Sequence, residues 1–150
     1  MRPGEAKFSE PDRARRFWLT RDWSDELPAP LRTVNFIMLN PSDADEDETD
    51  DDRTIKMCIE RSRRWGGISR IVATNLVPTV PKYPELLPPW SGIDKENRAH
   101  LIRWIGEADL IVVAWGSVKK ELAQKIGLIK HIAAPRDRTG RRSVYRPYQD

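Results

Sequence analysis

The chain has 150 residues, of which 39% are hydrophobic and 33% charged, with 12 prolines and a formal net charge of +3. That length suits one α/β-sized domain over 1–150 and is short for two, while the composition excludes a fibre and wholesale disorder. No window approaches the ~20 consecutive apolar residues of a membrane helix, and MRPGEAKFSEPDRARRF lacks the apolar core of a signal peptide, so a cytoplasmic location with no membrane partner is expected.

Residues 1–15 read as a flexible arm. RFWLTRDW, Arg16 to Trp23, has the aromatic, alternating character of a strand and is expected at a sheet edge. TVNFIML, Thr33 to Leu39, is nearly continuously apolar at its end, as a strand buried on both faces would be. From Asp52 onward Ile55, Cys58, Ile59, Ser62 and Trp65 fall at helical spacing, and Gly66-Gly67 supplies the stop. Cys58, the single cysteine, lies on the apolar face and reads as a small core residue.

ISRIVAT, Ile68 to Thr74, is a further buried strand, followed by a segment from Asn75 to Trp90 whose five prolines exclude a regular element. Ser91 with Asp94 resembles a capping box that opens a helix with Leu101, Trp104, Ile105 and Ala108 inward. LIVVA, Leu110 to Ala114, predicts another buried strand. After it, Trp115-Gly116 turns the chain into a helix begun by Ser117, and His131 to Ala134 reads as a last short strand.

This alternation predicts right-handed crossovers and a three-layer α/β/α sandwich with a mostly parallel central sheet. Ligand sites in such sheets lie at the carboxyl ends of the strands. Three ends are thereby singled out: Asn40-Pro41-Ser42, Asn75-Leu76-Val77-Pro78 and Trp115-Gly116-Ser117.

Eight of the ten residues Asp43 to Asp52 are acidic, which invites a metal reading. The spacing does not sustain it. Glu48 stands where a calcium loop needs glycine and Thr54 where it needs a bidentate glutamate. Asp45-Glu46-Asp47-Glu48-Thr49 mimics a DxDxT phosphatase motif, but five residues separate it from the strand end at Leu39. The run 43–51 therefore reads as a solvated loop, with Asp51 or Asp52 capping the following helix. GxxxxGK[ST], GxSxG and HExxH are absent, and His100 and His131 have no second ligand at metal spacing, so neither a metal nor a cofactor is expected.

Asn40 is distinguished by its place. At a strand end, with its backbone fixed by Pro41, its amide offers one donor and one acceptor to a ligand or water; a simple Asx-turn is the competing account. Asn75 supplies a second amide at a neighbouring end, and together they suit a planar polar ligand. Trp90 and Trp115 are either core residues or stacking platforms for a base. Arg136, Arg138, Arg141, Arg142 and Arg146 crowd into the tail 136–150, which is either a solvated arm or a phosphate-contacting one, with DNA or a nucleotide as the partner.

Taken together, RFWLTRDW, FIMLNPSDAD, DDRTIKMCIERSRRWG, IVATNLVP and LIVVAWG resemble the bacterial and phage domain-of-unknown-function family 1643. More distantly the arrangement is similar to the uracil-DNA glycosylase superfamily, whose mismatch-specific members carry a strand-end Asn-Pro-Gly. That resemblance implies a uracil-DNA glycosylase-like fold and hydrolysis of a nucleobase N-glycosidic bond. Asn40 would be the catalytic, water-positioning residue, with Pro41, Ser42, Asn75, Trp115 and Gly116 around the substrate. Tyr145-Arg146-Pro147 stands where the superfamily has a His-Pro loop, so Arg146 would contact the leaving base or a phosphate, and Arg138, Arg141 and Arg142 the nucleic acid. A non-catalytic nucleotide or nucleic-acid binding module using the same pocket is the alternative.

Overall fold

The computed structural model describes residues 1–28, 32–41, 53–80, 94–115, 123–124 and 126–133, together with the backbone of 143–145. The strands are β1 (Glu5–Phe8), β2 (Arg16–Asp22), β3 (Thr33–Met38), β4 (Arg70–Asn75), β5 (Leu110–Ala114) and β6 (Ser143–Tyr145). The helices are α1 (Arg53–Trp65), α2 (Lys95–Glu107) and α3 (Ile129–Ala133). The six strands form one sheet in the order β1-β2-β4-β3-β5-β6.

The α/β class stands, and the sheet is mixed, with three parallel and two antiparallel pairings. β3 pairs parallel with β4 and β5, and β5 parallel with β6, whereas β1–β2 and β2–β4 are antiparallel. The connections explain the difference. Parallel strands need a crossover element between them; α1 supplies one between β3 and β4, but no helix separates β1 from β2. β2 is not an edge strand either, because Glu5–Phe8 covers its outer side. Residues 1–15 thus include the edge of the sheet.

β3 lies at the centre with all six residues buried, as its apolar run suggests. Side-chain alternation divides the core between the two sheet faces. Val34, Phe36, Met38, Ile71 and Ala73 pack with Ile55 and Cys58 of α1. Ile37, Ile111 and Val113 pack with Leu101 and Ile105 of α2 and Ile132 of α3. Each buried aliphatic side chain contributes roughly 1.5–3 kcal/mol.

Local chemistry sets the helix ends. Gly66 and Gly67 both take positive φ, 70° and 71°, and release the chain from α1 toward Ile68. Asp94 is the cap of α2, its carboxylate accepting from the Asn97 backbone N–H at 3.0 Å. This replaces the expected capping box, in which Asp94 was the third helical residue; Ser91 lies outside the described residues. His131 to Ala134 does not begin a strand: Ile132 N–H donates to Leu128 at 3.0 Å, and Leu128 and Ile132, one turn apart, are both buried. The last strand is Ser143–Tyr145, in the basic tail.

Candidate functional site

The carboxyl ends of β4, β3 and β5 lie side by side, since Met38 is in register with Asn75 on one side and Ala114 on the other. Pairing of β3 and β4 continues past the strands, with Leu76 N–H donating to the Met38 carbonyl at 2.9 Å and Val77 N–H to Leu39 at 2.8 Å. The backbones that carry Asn40, Asn75 and Trp115 are therefore brought together. Asn40 is half-buried and Pro41 buried.

Asn75 is the unusual residue at this edge. It is 0% exposed, and neither its Oδ1 nor its Nδ2 has a hydrogen-bond partner. A buried amide normally finds partners, and leaving such atoms unsatisfied costs about 1–3 kcal/mol. Alternation from Ile71 and Ala73 directs it to the α1 side of the sheet. Asn35, also fully buried, is satisfied at one atom: its Oδ1 accepts from Thr74 Oγ1 at 2.9 Å, while its Nδ2 has no partner.

Sequence reasoning missed Asn97, which holds this edge from behind. From the first turn of α2 its Nδ2 donates to the Asn75 carbonyl at 2.8 Å and to the Leu76 carbonyl at 3.4 Å. It thereby satisfies the backbone where β4 bends away. Its only signal in the sequence was a polar residue on the inward side of α2, one turn before Leu101. Asp94 is in turn tied to Arg15, the residue before β2, by Arg15 Nη1 at 2.7 Å, a contact that raises the Arg15 pKa above its ordinary value.

Arg16 was missed as well. Its guanidinium is 0% exposed, and its backbone N–H donates to the Pro78 carbonyl at 2.9 Å, beside the same bend. A second charged residue, Arg21, is buried farther along β2, where its Nη1 donates to the Thr20 carbonyl at 2.8 Å.

Trp115 is 7% exposed and belongs to the apolar cluster on the α2 side with Ile37 and Leu76, so most of its ring is core. His100 stacks on Phe17 at 4.8 Å between ring centroids. Ser42, Trp90, Gly116, Arg136, Arg138, Arg141, Arg142 and Arg146 lie outside the described residues, as do the acidic run and the caps proposed for Asp51 and Asp52. Among the described residues no group of three or more His, Cys, Asp or Glu could hold a metal ion, and no helix is long and apolar enough to cross a membrane.

The profile of the family described as "Protein of unknown function (DUF1643)" matches residues 16–141. No curated protein and no solved structure matches the chain. Nothing in these comparisons supports the expected likeness to the uracil-DNA glycosylase superfamily. With the match running from the first residue of β2 to beyond α3, the chain belongs to the DUF1643 family.

Proposed function

We propose that this member of the DUF1643 family binds a nucleobase, in DNA or a nucleotide, at the carboxyl ends of β4, β3 and β5, and hydrolyses its N-glycosidic bond. The observation that carries the reading is the Asn75 amide, wholly buried with donor and acceptor both unsatisfied at a sheet edge where α/β folds bind ligands. A planar amide matches the paired donor and acceptor on a base edge, and such bidentate contacts are worth about 1–3 kcal/mol of discrimination.

In this reading Asn75 reads the base and Asn40 holds a water against the sugar carbon. The carbon–nitrogen bond breaks, the water oxygen bonds to the sugar carbon, and the water's proton passes to the departing base. Pro41, Ser42, Trp115 and Gly116 contact the substrate, and Arg146 steadies the leaving base or a phosphate. Arg138, Arg141 and Arg142 contact the strand, which makes its binding salt-dependent. Helices on both faces of the sheet support a uracil-DNA glycosylase-like three-layer arrangement.

The test is incubation with single-stranded and duplex oligonucleotides carrying modified bases, followed by alkaline cleavage at abasic sites. Product is expected from the wild type and its loss, by about 100-fold or more, from Asn40→Ala. Absence of product from every substrate would falsify the catalytic part.

The second reading, a non-catalytic binding module, is favoured by one observation. The described residues at these strand ends, Asn40, Pro41, Asn75 to Pro78 and Trp115, include no side chain that acts as a general base at neutral pH. It predicts base binding that disappears in Asn75→Leu, without turnover in any assay.

A further inference from the structure

We infer that the outer face of α1 binds the backbone of a polynucleotide, with Arg53, Lys56 and Arg61 contacting its phosphates. This deepens the function proposed above, naming a strand rather than a free nucleotide as the ligand, and rests on that reading for the choice of nucleic acid; the observations are those of α1 itself.

The two sides of α1 differ in character. Ile55, Cys58 and Ser62 are buried, whereas Arg53, Lys56, Glu60, Arg61, Arg63 and Arg64 are exposed. Those six carry five cations and one carboxylate, a formal +4 that exceeds the +3 of the whole chain. α2, also of 13 residues, instead mixes Lys95, Arg98 and Arg103 with Glu96 and Glu107, and Arg103 pairs with Glu107 one turn on at 3.2 Å. Acidic neighbours neutralise little of α1. Arg63 Nη1 meets Glu26 at 2.9 Å and Arg64 Nη2 meets Glu60 at 3.4 Å, which leaves Arg53, Lys56 and Arg61 without an ion pair among the described residues. At about 1.5 Å of rise per residue, Arg53 and Arg64 stand roughly 16 Å apart along the axis, with Lys56 and Arg61 between them.

Charge, and what the helix lacks, select the occupant. Four of the five cations are arginines, whose planar fork matches phosphate oxygens, and cations repeated along one face suit an anion that repeats along a strand. A lipid surface fits less well. An interfacial helix inserts an apolar face, and that of α1 is already committed to the core, with Ile55 0% and Cys58 4% exposed. An acidic protein partner fits less well too, because protein interfaces centre on an apolar, charge-depleted patch. This face offers only Met57 and Trp65, each 42% exposed and set roughly two turns apart.

Fluorescence anisotropy of the full chain with a labelled oligonucleotide of unmodified bases, single-stranded and as a duplex, would be followed from about 50 to 200 mM salt. Wild-type affinity is expected to fall steeply over that range. Arg53→Gln, Lys56→Gln and Arg61→Gln combined should weaken binding at low salt by about tenfold or more. The slope of log affinity against log salt should shrink by about 2–3, one phosphate contact for each side chain lost. Arg53→Lys with Arg61→Lys, which keeps the charge, should retain the wild-type slope. A slope unchanged in the triple variant but abolished by replacing Arg138, Arg141 and Arg142 overturns this inference and leaves the tail contacts standing. Asn75-dependent binding of mononucleotides without any binding of the oligonucleotide overturns it and leaves base reading intact, whereas binding of neither overturns both. Binding that appears only once the acidic residues of 43–52 are replaced by Asn and Gln would assign the face to the chain's own carboxylates. Polyglutamate or phosphatidylserine vesicles bound as tightly as the oligonucleotide would make it a general anion surface; either result overturns the choice of a polynucleotide.

Discussion

The two ends of the central sheet are built from similar residues and treat them differently. At the amino ends of β3, β4 and β5 most polar groups are joined into hydrogen bonds, Ser24 Oγ being an exception. Trp23 Nε1 donates to the Ile68 carbonyl at 2.8 Å, Thr33 N–H to Asp109 Oδ2 at 2.9 Å, and Arg70 Nε to Thr33 Oγ1 at 3.0 Å. At the carboxyl ends Asn97 satisfies two carbonyls, yet the Asn75 amide in the same bend has no partner at either atom. Completed networks hold a fold together. An incomplete one, in a wholly buried position, lowers stability and is expected where a ligand supplies the missing half.

The contrast is open to attack by substitution, beginning with the closed end. Trp23→Ala removes a 1% exposed ring, its hydrogen bond and the Arg63 guanidinium stacked over it at 4.9 Å. Denaturant unfolding should show a loss of about 3–5 kcal/mol. Asp109→Ala strands the N–H of buried Thr33 and should cost about 1–3 kcal/mol by the same measurement. Near-neutral results for both would mean that the closed end does not hold the sheet as described.

Asn75→Leu tests the other end, and its sign should be opposite. Replacing an unsatisfied buried amide by an apolar group of similar volume is expected to leave stability unchanged or raise it by about 1 kcal/mol, while base binding disappears. A loss comparable with that of Asp109→Ala would show Asn75 to be structural and dissolve the comparison.

The smallest expected effect concerns pH. Burial lowers the pKa of His100 from 6.5, with Glu96 working against the shift and Arg103 reinforcing it. The unfolded chain therefore takes up its proton first as the pH falls. Stability from this group is intact above pH 6.5 and declines from there toward the folded pKa. His100→Gln should flatten that part of the curve. Glu26 behaves likewise at lower pH. Arg63, then the Met1 ammonium, hold its carboxyl down at about 2 from 4.5, so its contribution fades between those values. Thermal unfolding as a function of pH checks both, and a curve indifferent to His100→Gln would count against the half-buried imidazole.

The periodicity of β3, β4, β5, α1 and α2 was legible in the residues themselves, because each carries at least five residues of clear pattern. Asn40 and Asn75 were legible as strand-end amides for the same reason. Glu5–Phe8 was not: four alternating residues with half-buried Ala6 and Phe8 carry too little signal. The pair Arg16 and Asn97 escaped for a different reason. One is a cation within an aromatic strand and the other a polar residue within an apolar helix face, and both make sense only beside the bend at Asn75.

What the sequence determined alone is what short-range periodicity can determine: which of the longer segments are strands and helices, and that β3, β4 and β5 are buried. Strand order, the antiparallel entry of β2 into the sheet and the bulge at Phe17 were decided by the tertiary structure. Those choices depend on pairing between segments far apart in the chain, such as Trp18 with Thr74, and on burial that no local window contains.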